Sequence, residues 1–301
     1  MKKTLFTSCF MLIHGYACIS QTTFVKSVEA LKMQLQKSKP DTSGVNLLLQ
    51  ISNAYFSMDK EMPHNLDSAI VYARWAESLS RSLKNDPELG NSYLLMAKIS
   101  AEQQKLTEGK IFAQKAIDIF NKTGSDKKLA EGYIALSNNY ETYDSGIIEK
   151  IRLDRMAAAI YHQEHDKENE AASLKDLGKT LMFQGKMDEA LEILKQSLSI
   201  YDSIKYEKVQ EVYSLIGVNY TQLGNYQQGI QFGLKAVNTA EKLKDTSKAT
   251  GVLYNYLAVT YDKLNQTANA SIYLKKALSI AKNGDDLPLI VMLVTNIAHI
   301  S

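Results

Sequence analysis

The feature that most constrains the fold of this 301-residue chain is an internal repeat with a period of about 40 residues. From about residue 45 onward, the same order of apolar and small residues returns several times. One small residue marks the register of each copy, and the intervals between successive copies are 39 to 45 residues. These residues are Ser52, Ala97, Ser137, Gly178, Gly217, Ala258 and Ala298. A chain with this periodicity folds as a stack of similar units rather than around one central core.

Each copy of the repeat predicts a pair of helices. In one copy, Tyr213, Ile216, Gly217 and Tyr220 have the i, i+3, i+4, i+7 spacing of one helix face. A break follows at Gly224, and small residues then recur at Gly229, Gly233 and Ala236. Small residues on both helices allow the two backbones to approach closely. The pattern therefore indicates a helical hairpin that must stack on its neighbours to bury its apolar face.

The break between the two helices of a hairpin has its own sequence signal. Gly185, Gly224 and Asn265 stand where the first helix of three copies must end. Glycine and asparagine tolerate the left-handed backbone conformation that ends many helices. We therefore expect a positive φ at these three positions.

The pattern resembles the tetratricopeptide repeat, and its long period is similar to the kinesin-light-chain type. The copies that begin at Tyr93, Leu174, Tyr213 and Tyr254 match this family most specifically. The resemblance implies an all-α, right-handed α-solenoid of about six helical hairpins over residues 45–301, preceded by a capping helix and linker at 21–44. The expected units lie near residues 45–84, 89–123, 129–166, 170–205, 209–245 and 249–284, followed by a lone helix at 287–301. This last, strongly apolar segment is too short to span a membrane and is expected to be a buried core helix.

The first twenty residues have the pattern of a secretory signal peptide. Lys2 and Lys3 precede an apolar run from residue 5 to 13 and a stretch of small residues up to Ser20. An exported protein, periplasmic or secreted, is therefore expected. The alternative is a lipid anchor at the envelope, because small residues precede Cys18 as in a poor bacterial lipobox.

Overall charge argues against a nucleic-acid partner. The chain has 35 basic and 33 acidic residues, and the expected signal removes two lysines and no acidic residue. The remaining protein is formally neutral and has no basic footprint. Membrane association would require the anchor at Cys18 or a hydrophobic span downstream of residue 301.

Candidate ligand-binding residues follow from the family resemblance. In tetratricopeptide proteins the first helices line a concave face, and the residue after the register residue points toward it. These residues are Asn53, Lys98, Asn138, Lys179, Val218, Val259 and His299. The arrangement of Asn138, Lys175 and Lys179 matches the part of the family that grips a peptide carboxylate. The alternative is a solvated polar groove without carboxylate specificity, the default for polar residues on an exposed helix face.

Aromatic residues outside the repeat register are further candidates. Phe183, Tyr143 and Tyr256 do not occupy packing positions, and we expect them to be exposed in the groove. Trp75 lies between two packing alanines of a second helix, where it covers a loop or forms an exposed contact.

No motif in the sequence points to catalysis or to a cofactor. His162 and His165 are spaced like two metal ligands, but they lie in a charged helix end that is typical of a solvated face. We therefore expect no metal, no cofactor and no enzymatic activity. The sequence favours a non-catalytic scaffold that binds a protein or peptide. The alternative is the periplasmic sensor portion of a longer bacterial regulator, such as a histidine kinase or a transcriptional regulator.

Overall fold

The computed structural model describes residues 28–58, 63–142 and 145–300. Within these ranges every regular element is an α-helix. The chain divides into two compact units, residues 1–141 and 142–301. The expected signal peptide, Cys18 and Tyr143 lie outside the described residues.

The first unit consists of six described helices. The first, α1, covers residues 28–37. The others are α2 (Thr42–Phe56), α3 (Pro63–Ser82), α4 (Asp86–Glu102), α5 (Leu106–Thr123) and α6 (Asp126–Ser137). Helices α2 and α3 form one hairpin and α4 and α5 the next, while α6 packs on both α4 and α5.

The second unit consists of eight described helices. These are α7 (Gly146–Gln163), α8 (Lys167–Phe183), α9 (Met187–Ser203), α10 (Gln210–Gln222), α11 (Tyr226–Lys242), α12 (Lys248–Lys263), α13 (Thr267–Asn283) and α14 (Leu287–Ile300). The hairpins are α8 with α9, α10 with α11 and α12 with α13; α7 packs on α8, and α14 packs on α13. The predicted fold class, an all-α solenoid of helical hairpins, is confirmed.

Residues with a left-handed backbone conformation follow the helix ends at the predicted turns. The φ angles are +82° at Gly185, +78° at Gly224 and +57° at Asn265, so the expectation is confirmed at all three positions. The next helix then begins with a side-chain cap in some units. In the turn after Gly224, for example, the Asn225 side chain accepts a hydrogen bond from the amide of Gln228. Short turns of this kind hold consecutive helices antiparallel.

The register residues from Ser52 to Ala258 are buried, whereas Ala298 on α14 is exposed. A Cβ atom on Gly217 would lie 3.1 Å from the carbonyl oxygen of Gly229 and from the amide nitrogen of Gly233. The Ser52 hydroxyl donates to the carbonyl of Ala69 at 2.7 Å across the α2–α3 contact. Small side chains therefore allow the backbones of the paired helices to approach closely, as the pattern predicts.

Helix α14 differs from its prediction as a buried core helix. Leu289 and Leu293 are buried, but Leu287 is 70% exposed and Val291 is 65% exposed. The prediction was wrong because apolar composition alone does not state how many neighbours a helix has. Within the second unit α14 packs on α13 and, more weakly, on α12, which covers only one of its faces.

Candidate functional site

A polar groove crosses the first helices of the first unit. This first-unit groove has a volume of about 420 Å³ and is lined only by α2, α4 and α6. Its lining residues are Asn46, Leu49, Gln50, Asn53, Glu88, Asn91, Leu94, Leu95, Lys98, Lys128 and Glu131. Two predicted site residues, Asn53 and Lys98, are therefore part of one continuous surface.

The repeat register explains why the same side chains meet in this groove. Asn53 and Lys98 each follow a register residue, and Asn46 and Asn91 each stand six residues before one. Asn46 therefore stands seven residues before Asn53, and Asn91 stands seven residues before Lys98. Seven residues are close to two turns of an α-helix, so the two positions lie on one face. Sequence reasoning missed Asn46, Gln50 and Asn91. The six-residue offset to the register residue is the signal that finds Asn46 and Asn91.

Side-chain amides dominate the part of the groove formed by α2. Among the described residues, the side chains of Asn46 and Gln50 have no hydrogen-bond partner. Asn53 donates to the carbonyl of Leu49 at 3.1 Å, which leaves its amide oxygen as an acceptor. An amide presents both a donor and an acceptor, which is what a peptide bond requires of its partner.

The charged residues of the groove balance one another. Glu131 accepts from Lys128 at 2.8 Å and from Lys98 at 3.4 Å. Glu88 accepts from the Asn91 amide at 3.1 Å. Two lysines and two glutamates therefore give this surface no net charge. A strongly charged ligand gains little from it by long-range attraction.

The floor of the groove on α4 is apolar. Leu94 and Leu95 are 4% and 5% exposed. Leu94 stands four residues before Lys98, where a carboxylate-gripping repeat has a basic residue. This part of the groove is therefore suited to an apolar group rather than to an anion.

The predicted carboxylate-gripping residues fall in both units. Asn138 belongs to the first unit, where its backbone amide caps the end of α6. Lys175 and Lys179 lie one turn apart on α8 of the second unit. Lys179 is exposed, and no salt bridge of it occurs in the part of the chain that the structure describes.

Lys175 already has carboxylate partners within the chain. Its Nζ lies 2.7 Å from Glu211 on α10 and 3.2 Å from the neighbouring Asp176, and its side chain is 18% exposed. Burial opposes the charge, but these two carboxylates raise the pKa of Lys175 above its ordinary value. A ligand carboxylate at this position would have to compete with Glu211 and Asp176.

The aromatic candidates outside the register are exposed where the structure describes them. Phe183, at the end of α8, is 61% exposed, and Tyr256 on α12 is 41% exposed. Trp75 is 54% exposed on α3 and packs edge-on against Tyr72 at a centroid distance of 5.3 Å. Trp75 is thus a surface residue, and the loop at residues 59–62 that it was expected to cover lies outside the described residues.

The two histidines have different environments. His162 Nδ1 lies 2.8 Å from Glu170, and His165 occupies a left-handed turn with a φ of +55°. In the described ranges, no group of three or more histidine, cysteine, aspartate or glutamate side chains is arranged to hold a metal ion. No described helix is both long and apolar enough to cross a membrane.

Stacked helical hairpins with a polar groove across their first helices define a helical-repeat scaffold. Models of the tetratricopeptide repeat match residues 171–201 and 209–283. The chain therefore contains tetratricopeptide repeats at these residues. No curated protein is similar to it in sequence.

Several solved structures share the fold at low sequence identity. The chain superposes on a STAND signal-transduction ATPase with a tetratricopeptide-repeat sensor from Pyrococcus horikoshii, with a TM-score of 0.70 and 17% identity. That match covers 86% of this chain and 38% of the ATPase. The quorum sensor NprR from B. thuringiensis has a TM-score of 0.70 at 12% identity, over 95% of this chain and 78% of NprR. RapI has a TM-score of 0.67 at 12% identity, over 92% and 98% of the two chains.

Proposed function

We propose that the chain is a non-catalytic scaffold that binds an extended peptide, or an extended segment of a protein, in the first-unit groove. The observation that carries this proposal is the set of amides along α2 and α4, of which Asn46 and Gln50 have no partner within the described structure. Amides that are free to donate and accept can pair with the backbone of an extended ligand without reading its side chains.

The charge balance of the groove narrows the ligand class. Lys98 and Lys128 are paired with Glu131, so neither is free to attract an anion. Leu94 and Leu95 offer an apolar floor beside the amides. The ligand that fits these features is a peptide segment of low net charge with an apolar side chain near its middle.

Similar folds that bind peptides support a peptide ligand. One structure with a TM-score of 0.58 and 14% identity is a Rap protein complexed with Competence and Sporulation Factor. NprR, which shares the fold, is a quorum sensor. At these identities the likeness extends to the fold alone, so the ligand of this chain must be found by experiment.

A second candidate function is the sensor portion of an exported regulator. The first of the similar structures carries a tetratricopeptide-repeat sensor within a larger protein, of which the present chain spans 38%. The signal-like segment at residues 1–20 supports a periplasmic location for this candidate. Reading the gene downstream of residue 301 tests it, because a sensor requires an apolar span of about twenty residues before its output domain.

A selection of random linear peptides on the full chain tests the groove directly. Selected peptides should lose about tenfold or more in affinity for a chain with both Asn46→Ala and Gln50→Ala, because the two amides without a partner in the described structure are removed. Asn269→Ala, an exposed asparagine on α13, is the matched control and should leave affinity unchanged. Equal binding to the groove variant and the control would exclude this groove as the site.

A further inference from the structure

A second cavity lies in the second unit. It has a volume of about 420 Å³ and is lined by residues of α7, α8 and α9. The apolar part of its lining consists of Ala158, Ala159, Leu174, Leu177 and Ile193. The polar part consists of Arg155, His162, Gln163, Glu170, Glu189 and Gln196.

In another hairpin of the same unit, a tyrosine ring fills the equivalent space. Tyr254 on α12 stacks on Tyr273 of α13 with ring centroids 6.1 Å apart, and Lys276 lies 5.4 Å from its centroid. Its hydroxyl donates to Glu241 on the preceding helix α11 at 2.7 Å. The ring therefore lies between two successive second helices, α11 and α13.

The first unit has a similar arrangement, in which the glutamate stands one turn earlier on the preceding helix. Tyr93 on α4 stacks on Phe112 of α5 with centroids 6.2 Å apart, and Lys115 lies 5.1 Å from its centroid. Its hydroxyl lies 3.0 Å from Glu77 on the preceding helix α3. A tyrosine held between successive second helices is thus a recurring element of this array.

The residues at two equivalent repeat positions differ between α7–α8 and the other hairpins. Tyr93 and Tyr254 each stand four residues before a register residue, and Leu174 stands at that position before Gly178. On the preceding second helix, Ala158 occupies the position that Glu77 holds before Tyr93 and Val237 holds before Tyr254. The cavity therefore coincides with two smaller side chains: leucine in place of tyrosine, and alanine in place of glutamate or valine.

Two glutamates at other positions around the cavity are suited to accept a hydrogen bond from a hydroxyl group. Glu170 is 4% exposed and accepts from His162 at 2.8 Å and from Lys167 at 2.9 Å. Glu189 pairs with Arg155 across the opening between α7 and α9. A carboxylate oxygen can accept more than one hydrogen bond, so either glutamate can receive a phenol O–H in addition to its present partners.

We propose that this cavity binds the side chain of a tyrosine presented by a partner protein, in the place that Tyr93 and Tyr254 fill in other hairpins. The apolar floor takes the ring and one of the two glutamates accepts the hydroxyl. An aromatic residue inserted into a pocket with a charged rim is a common anchor of protein interfaces. This site is distinct from the first-unit groove, and its existence does not depend on the function proposed for that groove.

Titration with p-cresol, the side-chain analogue of tyrosine, tests the site by amide NMR of the full chain. Shifts should map to α7, α8 and α9, with a dissociation constant on the order of 1 mM for so small a ligand. N-acetyltyrosine amide should bind at least as tightly, and toluene more weakly because it lacks the hydroxyl. Toluene binding equal to p-cresol, or no binding of N-acetyltyrosine amide, would overturn a tyrosine side chain as the occupant.

Variants that fill the cavity complete the test. Ala158→Leu and Leu174→Tyr should each weaken p-cresol binding at least tenfold, whereas Ala268→Leu, the same change at an exposed position of α13, should not. Tyr254→Ala opens the equivalent space in another hairpin and should create a second p-cresol site there. Unchanged binding to Ala158→Leu, or no p-cresol binding to either cavity, would show that the space is only a packing defect.

Discussion

Gly178 on α8 packs directly against Leu194 on α9: a Cβ atom on Gly178 would lie 2.6 Å from Cγ of Leu194. Leu194 is fully buried, so it cannot move aside without disturbing its neighbours. This contact sets how closely the two helices of the hairpin approach.

Gly178→Ala should therefore destabilise the protein. Overpacking of a well-filled core costs about 1–3 kcal/mol, and the better helix propensity of alanine offsets up to about 1 kcal/mol of that. Gly251→Ala on α12 is the matched control, because its nearest neighbour would be the flexible end of Leu289 at 3.1 Å. Urea unfolding should show a lower free energy of unfolding for Gly178→Ala. For Gly251→Ala the free energy of unfolding should change by less than about 1 kcal/mol. Equal effects of the two substitutions would contradict the close contact.

Stability should depend on pH through Glu170. Burial acts against its charge, but hydrogen bonds from Lys167 and His162 lower the pKa of Glu170 below the ordinary value of 4.5. Its stabilising contribution is thus complete above the unfolded-state pKa and is lost as the pH falls through the lower folded-state pKa. Because both partners are partly solvated, Glu170→Gln should cost about 1 kcal/mol at neutral pH.

The difference in the free energy of unfolding between the wild type and Glu170→Gln should become smaller at acid pH. Urea unfolding at neutral pH and again below the folded-state pKa measures this change. Asp188→Asn, an exposed carboxylate in the first turn of α9, serves as the control for the loss of one charge. A cost of Glu170→Gln that stays constant down to acid pH would contradict the role given to the ionised carboxylate.

Lys179 and Glu211 provide a test of anion binding on α8. Lys179→Glu should weaken the binding of a selected peptide with a free carboxyl end and leave its amidated form unaffected. Glu211→Gln should strengthen the binding of the free-carboxyl form, because it releases one of the two partners of Lys175. Isothermal titration of both peptide forms distinguishes these effects. Identical affinities for the two forms in all variants would rule out recognition of a carboxyl end on α8.

Substitutions on the two faces of helix α14 should have different effects on stability. Leu293 is fully buried, and Leu293→Ala should cost about 2–5 kcal/mol. Val291 is 65% exposed, and Val291→Ser should change stability by less than about 0.5 kcal/mol. Thermal melting of both variants measures the contrast. A large loss for Val291→Ser would mean that its face of α14 is covered in solution.

The repeat pattern was sufficient to predict the elements that depend on local backbone chemistry. Gly185, Gly224 and Asn265 have the positive φ expected of them, because a helix end requires a residue type that the sequence displays. Asn53 and Lys98 line one groove because the register places them on one helix face. These inferences need only the spacing along a single helix.

The sequence could not predict the choices that depend on contacts between repeats. Glu211 pairs with Lys175 from 36 residues away, and no local rule selects it over other acidic residues. The cavity beside Ala158 coincides with smaller side chains on two different helices, and each of them alone is unremarkable in sequence. The exposed face of α14 likewise reflects the number of its neighbours and not its composition.

The left-handed turns have a practical consequence for engineering. Lys84, Gln104, Lys205 and Lys244 are among the described residues that adopt a positive φ without being glycine. Such residues carry a steric cost of roughly 1 kcal/mol that glycine avoids, although glycine also raises the entropy of the unfolded chain. None of the four residues lines the first-unit groove or the second cavity. Replacing them with glycine or asparagine is therefore a way to raise the free energy of unfolding while the binding surfaces stay unchanged.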